Sequence, residues 1–116
     1  MLASLLMFAA VQAEPWGVGN YWDGNRLYAE CSATPASPTY YASVSYCTGF
    51  IVGISDMNTH VAVQRGAAPP FCVPQHVLVK QLRDVVLKYL QDSPGIRGNS
   101  AASLTVGALS EAFPCK

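Results

Sequence analysis

The chain has 116 residues, 51% of them apolar and 12% charged, which is enough for one modest core and too apolar for a disordered segment. Seven basic side chains balance seven acidic ones with no runs of either sign. That excludes the basic patch of a nucleic-acid binder and the charged stripe of a membrane-surface protein.

The first segment, "MLASLLMFAAVQA", is a short apolar run ending in Val11-Gln12-Ala13, a small-residue cleavage pattern. It predicts a secretory signal peptide over residues 1–13, with an exported mature domain over 14–116. No Lys or Arg precedes the run. That is expected either of a start placed too far downstream or of the α-amino group alone supplying the positive charge. The run is too short to span a bilayer, which takes about 20 residues, so no membrane span is expected in the mature protein. Four cysteines, Cys31, Cys47, Cys72 and Cys115, agree with an oxidising compartment.

Further along, "EPWGVGNYW" reads as an irregular lead-in. In "DGNRLYAEC" Asp23 or Asn25 caps a short helix to about Cys31, with Leu27, Tyr28 and Cys31 facing inward. "SATPASPTY" is a Pro-punctuated loop. A second helix is expected from about Tyr41 to Met57, with Val44, Cys47, Phe50, Ile51 and Ile54 along one side. Residues 58–70 read as irregular. A third helix begins near Gln75 or Val77, with an apolar stripe of Leu78, Leu82, Val85, Val86, Tyr89 and Leu90 opposed by Lys80, Arg83, Asp84 and Lys88. "QDSPGIRGNS" ends it through Pro94 and Gly95. Asn99 or Ser100 then caps a last helix through Ala112, with Ala101, Leu104, Ala108, Leu109 and Phe113 inward. No convincing strand alternation occurs. The fold class is all-α: a small disulfide-stapled bundle of about four helices.

Four cysteines allow three pairings, and the helix layout favours one. Cys72 precedes the third helix and Cys115 follows the fourth, so an antiparallel hairpin brings them together. Cys31 closes the first helix and Cys47 opens the second across the Pro-rich loop. The favoured pairs are Cys31–Cys47 and Cys72–Cys115.

In the second helix, "YCTGFIVGISD" places Gly49 and Gly53 four apart in an apolar run, a spacing known from membrane helix pairs. The run is far too short for that role. In a soluble helix each glycine costs up to about 1 kcal/mol against alanine. The expectation is therefore that the pair admits a closely packed neighbouring helix, in the core or in a dimer.

Chemistry-bearing residues are sparse. Cys72 and His76 form the only ligand-like pair, which cannot hold a structural zinc by itself, and no metal or cofactor is expected. His60 and His76 lie in predicted loop or helix-entry positions, and Asp56 and Asp84 lie on the polar sides of helices. With the cysteines committed to bridges, no nucleophile and base are paired and no phosphate-binding glycine motif exists. The expectation is a protein without enzymatic activity.

Four segments in this order, "GNRLYAEC", "YCTGFIVGISD", "FCVPQHVLVKQLRDVVLKYLQDSP" and "AASLTVGALSEAFPC", resemble the Rap/Tai family of type VI secretion immunity proteins. The similarity runs from Gly24 to Cys115. It implies a small periplasmic helical protein, working as a homodimer, that plugs the active-site cleft of a peptidoglycan amidase effector. The candidate plug is the turn between helices three and four, through Asp92, Ser93, Pro94, Arg97 and Asn99, with residues 58–70 as the rival contact segment. One departure stands out: the family commonly has Thr or Ser three residues before Gln at the third helix start, where this chain has Leu78 before Gln81. That omits about 1 kcal/mol of capping and predicts an earlier helix start, after Pro74.

Two other classes compete. A periplasmic stress chaperone that unfolds in acid needs many carboxylates, and seven are few. A small hydrophobic-ligand carrier needs an internal apolar cavity.

Overall fold

The computed structural model describes residues 19–116, so the expected signal peptide over 1–13 lies outside the described residues. Four helices follow in order: α1 (Gly24–Cys31), α2 (Tyr40–Arg65), α3 (Val79–Asp92) and α4 (Ala101–Ala112). Among the described residues there is no strand, only one isolated antiparallel bridge between Asp23 and Ser100. The all-α expectation holds.

The helix starts follow local chemistry. The Asp23 carboxylate accepts from the Arg26 N–H at 2.8 Å, and the Ser100 hydroxyl accepts from the Ser103 N–H at 3.1 Å. Each satisfies a donor that the first turn leaves unpaired. At α3 only half of such an arrangement forms. Gln81 Oε1 reaches back to accept from the Leu78 N–H at 2.7 Å, while the Leu78 side chain has no acceptor to return. The helix therefore starts at Val79, later than the expected Gln75 or Val77. Gln75 and His76 form a turn instead, with Val77 N–H donating to the Pro74 carbonyl at 3.1 Å.

The larger correction concerns α2. Expected to stop near Met57, it continues about two more turns to Arg65. Between Gly53 and Gly66 there is no glycine or proline to interrupt it, and polar residues such as Asn58, Thr59 and His60 do not break a helix by themselves. The stop is Gly66, at φ 59°. There the Ala67 N–H donates to Ala62 O at 3.2 Å and the Gly66 N–H to Val63 O at 3.3 Å, the paired bonds of a Schellman end. The irregular stretch is thus 66–78 rather than 58–70.

The core is built from Leu27 and Cys31 of α1, Cys47 and Ile51 of α2, Leu82, Val86 and Leu90 of α3, and Ala101, Leu104, Ala108 and Leu109 of α4. Of the expected α3 stripe only Leu78 stays outside, two-thirds exposed at the helix cap. One core residue comes from no helix: Phe71, 1% exposed, plugs the bundle from the loop after α2. Its carbonyl accepts from Asn58 Nδ2 at 3.1 Å, and the next residue, Cys72, donates its N–H to Phe113 O at 2.8 Å.

Both favoured disulfides are present, Cys31–Cys47 and Cys72–Cys115, and the described residues contain no free cysteine. At sequence separations of 16 and 43, loop-closure entropy assigns them about 3 and about 4 kcal/mol. Those are large shares of the stability of a domain this size.

Gly49 and Gly53 do not do what the spacing suggests inside the chain. Both are exposed, and a Cβ built on either meets no atom within 4 Å. The side of α2 that packs inward carries Ser43, Cys47 and Ile51 instead, and at about 100° per residue the two glycines point away from it. The close approach expected in the core is absent.

Candidate interaction surface

The turn between α3 and α4 is held from two directions. Along its own chain, Ser93 N–H donates to Leu90 O, Ile96 N–H to Ser93 O at 3.2 Å, and Asn99 N–H to Ile96 O at 3.0 Å, winding Pro94–Ile96 into a single 3₁₀ turn. Pro94 opens that turn, where its fixed φ suits the conformation and its missing N–H goes unneeded. Three further main-chain bonds tie it to α1 and the residues just before that helix. Gly24 N–H donates to Asn99 O at 2.9 Å, Asn25 N–H to Arg97 O at 2.9 Å, and Ala101 N–H to Trp22 O at 3.0 Å.

This is possible because residue 24 is glycine. A Cβ there would press into the Leu104 side chain and sit 2.7 Å from Arg97 O. Gly24 is needed for closeness to another backbone, the second ordinary use of glycine besides positive φ. The first turn of α1 therefore acts as a clamp on the turn.

The clamp is itself braced. Trp22 stacks on Phe50 of α2, ring centroids 5.5 Å apart and interplanar angle 3°, and the Arg26 guanidinium lies 4.9 Å from the Trp22 centroid. Arg26 also meets Glu30 at 3.1 Å along the helix.

The candidate plug residues divide into two groups. Pro94 and Asn99 are exposed, as expected of contact residues, and Asp92 is exposed but paired with Lys88 at 3.0 Å. Ser93 is half-buried. Arg97 is not an outstretched tip. It folds back with its guanidinium 4.2 Å from the Tyr28 ring centroid, half-buried, its Nε enclosed with no hydrogen-bond partner among the described residues. The face of Tyr28 supplies the negative potential that a hydrogen bond would otherwise provide. The exposed apex is instead Gly95, Ile96 and Gly98, with Ile96 41% exposed. An apolar side chain flanked by Gly95 and Arg97, just after a proline, is a readable signal for an exposed apex.

Groups able to do chemistry are not gathered anywhere among the described residues. His60 and His76 are exposed on separate segments, and Asp84 is held at the surface by Lys80 at 2.9 Å. Among the described residues no cluster of three or more metal-ligating side chains exists. No described helix is long and apolar enough to cross a membrane. An open apolar groove of about 360 Å³ lies between the last turns of α2 and residues 67–70, one of several shallow concavities of similar volume among the described residues.

The protein-family model described as Rap1a immunity proteins matches residues 23–115. No curated protein matches the chain.

Proposed function

The chain belongs to the Rap1a immunity protein family, and from that premise we propose that it neutralises a peptidoglycan amidase effector of a type VI secretion system in the periplasm. Inhibition is steric: the turn at 92–99 enters the amidase cleft and excludes the peptide stem. The observation that carries this reading is the clamp of α1 on that turn. Because main-chain bonds from Gly24 and Asn25 already order Arg97 and Asn99, little backbone entropy remains to be lost on binding. Ile96 supplies the apolar anchor, and Asp92, Ser93, Pro94 and Asn99 supply the surrounding contacts. Arg97, flat on Tyr28, braces the tip and presents a partly desolvated charge beside it.

A homodimer is part of the same proposal. The outward face of α2 displays Tyr46 and Met57, both more than half exposed, in line with Gly49 and Gly53. A helix with apolar residues on every side is expected to find a partner on its free face. The signal-peptide reading of residues 1–13 and the two disulfides support action in the periplasm.

The test is inhibition of the amidase encoded beside this gene. The purified, oxidised protein is expected to bind that enzyme and abolish its hydrolysis of peptidoglycan stems. Absence of binding removes the assignment. Within a binding pair, Arg97→Glu is expected to weaken inhibition at least about tenfold. Unchanged inhibition moves the contact away from this turn.

A further inference from the structure

A second surface is built at the other end of α2. Its groove is walled by Ile54, Met57 and Val61 of α2, Pro69 and Pro70 of the following loop, and Val106 of α4, with Arg65 also lining it. Met57 and Val61 are exposed. At about 360 Å³ it lies at the low end of small-ligand sites, with room for one or two side chains. Two devices fix its shape. The Schellman end at Gly66 reverses the chain, and the bond from Asn58 Nδ2 to Phe71 O holds the loop against the helix at 3.1 Å.

Arg65 is the one charged side chain among its lining residues. Lys80 and Arg83, on α3, are paired with Asp84 at 2.9 and 3.9 Å. Arg65 has no acidic partner among the described residues and is exposed at the groove. An apolar slot beside an uncompensated guanidinium is complementary to an apolar side chain with a carboxylate close by.

We infer that this groove is a docking site for an extended segment of another protein, one that carries a large apolar side chain with an aspartate or glutamate next to it. The side chain fills the slot against Met57, Val61 and Pro69, and the carboxylate pairs with Arg65. This goes beyond the plug reading and requires no amidase: it is a separate peptide-recognition surface, tested without any effector.

The experiment is an amide-resolved NMR titration of the oxidised, isotope-labelled protein with three acetylated and amidated hexapeptides, Gly-Ser-Leu-Glu-Ser-Gly and its Leu-Gln and Leu-Lys counterparts. The Leu-Glu peptide is expected to shift Met57, Val61, Arg65 and Ala67, with the Leu-Gln peptide about tenfold weaker. Arg65→Glu, at an exposed site in the last turn of α2 and with its fold checked by the amide spectrum, is expected to reverse the preference towards the Leu-Lys peptide. The inference is overturned by an absence of shifts at these residues, or by equal response to all three peptides. Shifts at Arg65 and Ala67, which lie away from the α2 face given to the homodimer, on diluting the protein alone also overturn it, by giving the groove to a second copy. A response to laurate without a response to the peptides overturns it in favour of a lipid.

Discussion

The turn after α3 and the loop after α2 are both short irregular segments between helices, yet different forces hold them. The first is fixed by main-chain hydrogen bonds, three of them shared with α1 and the residues just before it, and it depends on a glycine that lets two backbones touch. The second has main-chain bonds only towards its ends, the Schellman pair at Gly66 and Ala67 and Cys72 N–H to Phe113 O, and is otherwise fixed by one buried ring, Phe71, one amide side chain, Asn58, and one covalent bridge, Cys72–Cys115. Main-chain bonds order every residue they reach, so the first segment presents a defined apex. Point anchors leave the residues between them shaped by sterics alone, and Pro69 and Pro70 supply that stiffness at the groove. The first construction suits insertion into a cleft, the second suits accepting something into a slot.

The largest separation between the two comes from the exposed bridge. Replacing Cys72 and Cys115 together by alanine is expected to lower stability by about 4 kcal/mol, read by urea denaturation. Hydrogen exchange is expected to quicken first at Cys72, whose N–H bonds Phe113 O, while the amides of Gly24 and Asn25 stay protected. Equal loss of protection at both ends would mean that they are one cooperative unit rather than two.

The reverse perturbation is Gly24→Ala. Its methyl would meet Arg97 O at 2.7 Å and the Leu104 side chain, so α1 must move away from the turn. Overpacking of this kind costs about 1 to 3 kcal/mol. The expected signature is accelerated exchange at the clamp, in the amides of Asn25 and Ala101, with Cys72 unaffected. If amidase inhibition is measured as well, it should fall more than the stability loss alone explains.

A smaller change addresses the side-chain hydrogen bond that holds the loop to α2. Asn58→Ala leaves the Phe71 carbonyl without its donor, worth about 1 kcal/mol or slightly more. The loss is expected in the melting temperature and in NMR shifts confined to residues 66–72. No effect there would show that Phe71 burial and the disulfide suffice to hold the loop.

Much of this architecture is legible in the residues themselves. Asp23 and Ser100 announce helix starts because a short acceptor side chain precedes each apolar period. The disulfide pairing follows once helix order is known, since the bridges join helix ends. What resists reading is whatever depends on tertiary proximity. Nothing local distinguishes Gly24, which is required by the backbone of Arg97 far along the chain, from Gly49 and Gly53, which touch nothing. Asn58 and Thr59 look like breakers, yet α2 passes through them to the true stop at Gly66. Arg97 looks like a tip because arginine is long and polar, whereas the ring of Tyr28 in α1 draws it back. Phe71 lies in a stretch without periodicity, so its burial has no pattern to betray it.

The smallest expected effect lies on α2, which connects the two regions through Phe50 near one and Asn58 near the other. Gly53 is exposed and a Cβ there meets no atom within 4 Å, so alanine adds helix propensity without a clash. Gly53→Ala is expected to raise the stability of the single chain by up to about 1 kcal/mol, seen as a higher melting temperature at low protein concentration. Neither segment should change its exchange rates, because the substitution stiffens the helix between them without touching either set of anchors. The same variant reports on the outward face. If two copies pack α2 against α2 across Gly49 and Gly53, the added methyl keeps the backbones apart and sedimentation shifts towards monomer while the monomer itself grows more stable. A dimer that persists unchanged removes these glycines from the interface and leaves their exposure as a property of the helix alone.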